Sequence, residues 1–257
     1  MRGNGHERAA RPFKRWRLTG CVLIGLTVGC SGRRVTELLL SPPLPSLRPS
    51  TVWTEPFQTL DPARWREVVL RGHTRYQVVQ VDGRTCLRAQ SDGTASLLVS
   101  VVRFDPDDSP WLSWEWRVDR LVEREALDRK EGADAAARIY VYFETSGLPW
   151  QKRSLDYVWS AALPPGTHLS SPFSPAAKLI VVESGSTALG QWRRVERHLG
   201  EDYRRCFGAA PPDVVAIGVM SDSDNTGSRT LAHLDELRVG RRPLGRGSKG
   251  RSTPPRQ

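Results

Sequence analysis

The sequence has no apolar stretch that would cross a membrane as a permanent helix. The run Leu18 to Val28 is roughly eleven residues, where about twenty are needed, which argues against a single-span anchor. There is no G-x-S-x-G, no phosphate-binding glycine loop and no internal repeat. His73, His168, His198 and His233 are scattered, without the i, i+4 spacing of a zinc-binding helix. The common hydrolase, nucleotide-binding and zinc-helix readings therefore have no support. Acidic residues are absent from positions 241 to 257, which carry six Lys/Arg, and positions 1 to 29 hold six Lys/Arg against one acid. Removing these +6 and +5 contributions from the net +10 leaves residues 30 to 240 at −1. The body is near neutral, so the overall basic charge does not imply nucleic acid as a partner.

Cysteine is scarce, four in 257 residues. Cys21 falls in the N-terminal apolar run and Cys30 just after it. That run follows a basic segment (Arg2, Arg8, Arg11, Lys14, Arg15, Arg17), and together they have the form of an export signal. Leu26-Thr27-Val28-Gly29-Cys30 resembles the lipobox of bacterial lipoproteins, with Thr27 where Leu is usual. The expectation is a signal peptide over 1–29, acylation at Cys30, and a lipid anchor in a bacterial cell envelope, at an outer membrane and facing the periplasm or the surface. Cys86 and Cys206 then remain for the folded body. They either form a disulfide or stay as two buried thiols.

Residues 30–51 include Pro42, Pro43, Pro45 and Pro49 and read as an extended tether. Residues 241–257 read as a basic disordered tail, because their Gly/Pro/Ser/Arg composition buries too little apolar surface to fold. Between them, 52–240 is one domain whose dominant period is two. In Leu112 to Val118 the apolar residues alternate with polar ones, so Trp114 and Trp116 are expected in a core. Similar runs occur at Arg75 to Val81, Ser96 to Phe104, Ala137 to Glu144, Leu155 to Ser160, Ala177 to Glu183, Gln191 to Leu199, Val214 to Met220 and Leu231 to Val239. Turn-forming segments separate them. Only Leu121 to Glu131 and Glu201 to Phe207 read as helical. The pattern predicts an all-β fold, a jelly-roll-like antiparallel β-sandwich.

Three groups of residues could carry chemistry. Along Ala137 to Glu144, alternation places Arg138, Tyr140, Tyr142 and Glu144 on one face. Tyr157 and Trp159 share a face of the next strand, with Trp150 in the loop before it. Ring faces that stack on a pyranose and charged groups that bond its hydroxyls would together make a glycan site, although a half-buried sheet holds the same residues. Asp222, Asp224 and Asn225, with Asp235 further on, supply the hard oxygen ligands that Ca²⁺ takes, in a structural rather than catalytic role. Capping of the loop by these side chains is the competing reading. Glu196, Arg197, Asp202, Tyr203 and Arg204, around Trp192, contain two carboxylates that could act as acid and base if their separation suits.

Five blocks in order carry a resemblance to a known family: AAARIYVYF (Ala135 to Phe143), LDYVWS (Leu155 to Ser160), KLIVVESG (Lys178 to Gly185), GQWRRVERHLGEDYRRCFG (Gly190 to Gly208) and VMSDSDNTG (Val219 to Gly227). They resemble an exported bacterial family known only as a domain of unknown function, over roughly Trp53 to Arg238. The resemblance implies a jelly-roll-like envelope protein and carries over no activity. The expected role is binding of a glycan or other envelope polymer. The alternatives are an enzyme acting on such a glycan and a structural subunit of an envelope complex.

Overall fold

The computed structural model describes residues 53–145 and 152–244. The expected lipidation site Cys30, the tether and most of the basic tail lie outside these residues, as does Trp150. Thirteen strands and one helix make up the described chain. The strands are β1 (Trp53–Glu55), β2 (Arg66–Arg71), β3 (Arg75–Val81), β4 (Arg84–Asp92), β5 (Ala95–Phe104), β6 (Trp111–Arg120), β7 (Ala137–Phe143), β8 (Ser154–Ser160), β9 (His168–Ser171), β10 (Ser174–Ser184), β11 (Arg193–His198), β12 (Val214–Asp222) and β13 (Arg229–Gly240). Helix α1 (Leu199–Phe207) precedes β12.

The strands form two sheets. One is ordered β11-β6-β13-β4-β3, with β1 also pairing β13; the other is β2-β5-β12-β7-β8-β10-β9. β4, β5, β6 and β7 alternate between the sheets, as do β11, β12 and β13. The chain thus wraps around the core, as a jelly-roll-like sandwich requires. All pairings are antiparallel except β8 with β10, which run parallel. The expected single-domain β-sandwich is what the structure shows. The nine strands read from alternation are present, and β1, β2, β4 and β9 add to them.

One expected helix is absent. Leu121 to Glu131 is a succession of turns, closed by a bridge between Ala126 and Gly132. Arg124 within it has φ of 59°, which an α-helix does not accommodate. The other forms as α1, two residues longer at its start. The His198 side chain caps it by accepting from the Glu201 N–H, and Gly208, at φ 65°, ends it in the left-handed conformation.

The core between the sheets is aromatic. Trp114 and Trp116 of β6 meet Tyr157 and Trp159 of β8, with ring centroids 5.3 Å apart for Trp114–Tyr157 and 5.9 Å for Trp116–Trp159. All four residues are buried. This corrects the expectation that Tyr157 and Trp159 belong to a ligand-facing surface. Ile139 pairs with Tyr157 and Ala137 with Trp159 across β7 and β8, and directly opposed residues lie on the same side of a sheet. The two aromatics therefore share the inward face of β7, away from Arg138, Tyr140 and Tyr142.

The two body cysteines are free thiols. Cys86 lies on β4 in the smaller sheet, whereas Cys206 lies on α1 with its sulfur 3.6 Å from His168 Nδ1. Of the two readings offered by the sequence, the disulfide is thus not formed. Burial raises both thiols to about 11.

Candidate functional site

The outward face of β7 holds the residues that the sequence singled out. Tyr140 and Tyr142 stand two positions apart, their rings stacked with centroids 5.9 Å apart and planes 6° from parallel. On β12 the residues opposite them are Gly218 and Ala216, and Tyr142 and Ala216 pack with Leu97, Val99 and Met220 in a second apolar cluster against which Tyr140 also lies. Tyr142 is buried, and the half-buried Tyr140 directs its hydroxyl to Met220 Sδ at 3.5 Å. Burial pushes both phenols above their ordinary range, so both stay neutral at physiological pH. On β8, Asp156 lies opposite Tyr140. It is 3% exposed, and burial raises its carboxyl to about 7 even though the Ser154 hydroxyl donates to it at 2.7 Å.

At one end of this face Arg138 is buried against Asp222. Its Nε and Nη2 donate to the two carboxylate oxygens at 2.9 and 3.2 Å. The Ala135 N–H donates to Asp222 as well, at 3.1 Å. Asp134 and Asp224 complete a group whose carboxylate oxygens lie within 4.8 Å of one another. Asp134 accepts four bonds: from the backbone and side-chain amides of Asn225 at 3.2 and 2.8 Å, and from the backbone and hydroxyl of Thr226, both at 2.7 Å. Burial raises Asp222 to about 7 against the pull of Arg138. Of the four residues proposed to hold Ca²⁺, the fold brings Asp222, Asp224 and Asn225 together and places Asp235 elsewhere. Asp235 sits in β13 opposite Glu115, with Arg84 at 3.7 Å. Asp134 takes its place, a residue the sequence reading missed because only the fold carries the loop before β7 to the end of β12. Here Arg138 supplies Asp222 with the positive charge that a cation would supply.

The other end opens into a cleft of about 580 Å³ lined by Glu144, Thr145, Arg153, Tyr203, Ala210, Pro211 and Pro212. Glu144 follows β7 directly, and its N–H donates to the Asp213 carbonyl at 2.7 Å, which ties the strand end to the start of β12. Arg103 clamps its carboxylate through two N–H donors at 2.5 and 2.8 Å, and also reaches Asp213 at 3.3 Å. These bonds hold the Glu144 carboxyl below its usual range, so it remains ionised. α1 supplies the opposite wall. Tyr203 is wedged between Phe143 and Phe207, 4.6 Å from each ring centroid. The Arg153 guanidinium lies over Phe207 at 5.0 Å and Tyr203 at 5.9 Å, and donates to the Tyr203 hydroxyl at 2.8 Å. Gly208 stops the helix, and Pro211-Pro212 carry a stiff, extended segment along the rim. Sequence reasoning found Glu144 and named Tyr203 in a different grouping. It missed Arg153, Pro211 and Pro212, which flank recognisable elements without belonging to a pattern.

That third grouping does not assemble as an acid–base pair. Asp202 is taken up by Arg197 at 2.5 and 2.9 Å and by the Tyr157 hydroxyl at 2.9 Å. Glu196 accepts from the Leu244 N–H instead. Trp192 lies under the Arg84 guanidinium, 4.6 Å from its ring centroid, and near His233.

Residues 63–238 match the model of a family described as a protein of unknown function (DUF3047), and the chain belongs to that family. Among curated proteins none matches. Several solved structures share its β-rich fold at low identity. The CBM22-1 xylan-binding domain from Paenibacillus barcinonensis Xyn10C is 10% identical over 76% of this chain and 97% of its own, with a TM-score of 0.39. The cellulose-induced protein Cip1 is 8% identical over 76% and 100%, with a TM-score of 0.42. CBM28, a carbohydrate-binding module specific for non-crystalline cellulose, is 10% identical over 77% and 96%, with a TM-score of 0.37.

Proposed function

We propose that this member of the DUF3047 family is a lipid-anchored envelope protein whose sandwich binds a glycan in the cleft between β7 and α1. The cleft itself carries the reading. One open space presents an ionised carboxylate and a guanidinium, an acceptor and a donor of the kind that sugar hydroxyls need, beside the flat apolar edges of two prolines. The arrangement suits binding better than hydrolysis. A glycosidase needs one carboxylic acid with a raised pKa beside a second carboxylate, whereas Arg103 holds Glu144 low.

Affinity electrophoresis of the purified domain through gels containing neutral or acidic polysaccharides tests the reading. Retardation by at least one polymer is expected. Ala210→Trp, at an exposed position on the cleft wall, should fill the space and remove that retardation without changing the melting temperature. Unretarded migration across all the gels would overturn the reading.

The anchor rests on the lipobox-like segment ending at Cys30. Cys30→Ser should release the protein from membranes, because acyl chains bind at about 0.8 kcal/mol per buried CH₂ and the body is near neutral. Fatty-acid labelling of the wild type and fractionation of both proteins check it. A wild type that takes up no label would refute acylation.

A further inference from the structure

The cleft also carries information about the charge of its ligand, an inference that rests on the binding reading above. One carboxylate, Glu144, and one cation, Arg153, line it, and Arg103 bonds Glu144 and Asp213 beside it. Arg103 is fully engaged, since it bonds both carboxylates. Arg153 is held differently. Among the described residues no carboxylate lies within ion-pair distance of it, and residues 146–151, which adjoin it in sequence, contain neither Asp nor Glu. Its partners are neutral: the Tyr203 hydroxyl and the faces of two aromatic rings. Stacking fixes the plane of a guanidinium and limits its rotamers without neutralising its charge. The result is a half-buried, preorganised cation on the wall of an open cleft.

Such a fork matches the two oxygens of a carboxylate, which it binds by paired, charge-assisted hydrogen bonds. We propose that the glycan bound here is acidic, and that Arg153 binds the carboxylate of a uronic acid residue. Glu144, already neutralised by Arg103, is left to accept from sugar hydroxyls. A sugar phosphate offers the fork similar chemistry, so the experiment separates the two.

The probes are polygalacturonate, alginate and glucuronoxylan, each paired with its carboxyl-reduced form, together with a phosphomannan. Wild-type protein should bind at least one uronate polymer about tenfold more tightly than its reduced partner, the worth of one good charge-assisted contact. Arg153→Gln should abolish that ratio and Arg153→Lys should retain part of it, both with melting temperatures within a few degrees of wild type. Equal binding of the acidic and reduced forms, or a ratio that survives Arg153→Gln, would overturn the inference while leaving glycan binding intact. Tighter binding of phosphomannan than of every uronate would replace carboxylate by phosphate. Binding to none of the polymers would remove the glycan reading itself.

Discussion

The two ends of β7's outward face use the same letters for different ends. At the Arg138 end a guanidinium meets Asp222 in the interior, the side chains 6% and 4% exposed; Asp222 is bonded by Arg138 and a backbone N–H, Asp134 by two backbone N–H groups and two side chains, and Asp224 by the Asn225 amide. At the Glu144 end the clamped carboxylate is 46% exposed, and a second guanidinium, Arg153, rests on aromatic rings. Both ends pair an Arg with an acid from a distant part of the chain. What separates them is burial and the completeness of the pairing. Charges that satisfy one another away from water hold a fold together, whereas a cation left without an anion beside solvent is available to a ligand.

The sharpest test of that contrast is Arg138→Ala. It strands Asp222 beside Asp134 in the interior, and removing one partner of a buried pair costs about 3–5 kcal/mol. Urea unfolding at pH 7 measures it, and a loss under about 1 kcal/mol would erase the distinction between the two ends.

Midway along the face, Asp156 should show an intermediate effect that depends on pH. Burial raises its carboxyl to about 7, so the folded state holds the proton more tightly than the unfolded chain. This group therefore costs nothing below the unfolded value of about 4, an increasing amount as pH climbs toward 7, and its full amount above that. Asp156→Asn keeps an acceptor for the Ser154 hydroxyl. It should stabilise the protein by roughly 2–4 kcal/mol at pH 8 and leave it nearly unchanged at pH 4. Melting curves across that range check the sign, and a gain confined to low pH would contradict it.

Arg153→Gln should have the smallest effect on folding, about 1 kcal/mol or less, since Arg153 is half-buried at a cleft wall and its buried partner, the Tyr203 hydroxyl, is neutral. A loss as large as that of Arg138→Ala would make the cleft end structural too.

Alternation was a dependable guide within a strand. It placed Trp114 and Trp116 in the core, and it divided Ala137 to Glu144 into the inward and outward sets that the structure shows, because successive side chains of any strand point to opposite faces. It failed across strands. Tyr157 and Trp159 share a face with each other, but nothing in Leu155 to Ser160 says which side of the sheet that is; the register with Ile139 and Ala137 decides it. β4 went unread because the positions in phase with Leu87 are Thr85, Ala89 and Ser91, small or polar, while Cys86 lies out of phase.

Composition and a period of two, which act over a few residues, were enough to show the all-β class, the aromatic core of β6, the near-neutral body and the loop rich in Asp after β12. Tertiary structure alone decided that Asp134 joins Asp222, that Asp235 does not, and that Arg153 comes to face Glu144 across a cleft. Those contacts depend on pairing register and on the packing of α1 against β7, which bring together groups that local patterning cannot relate.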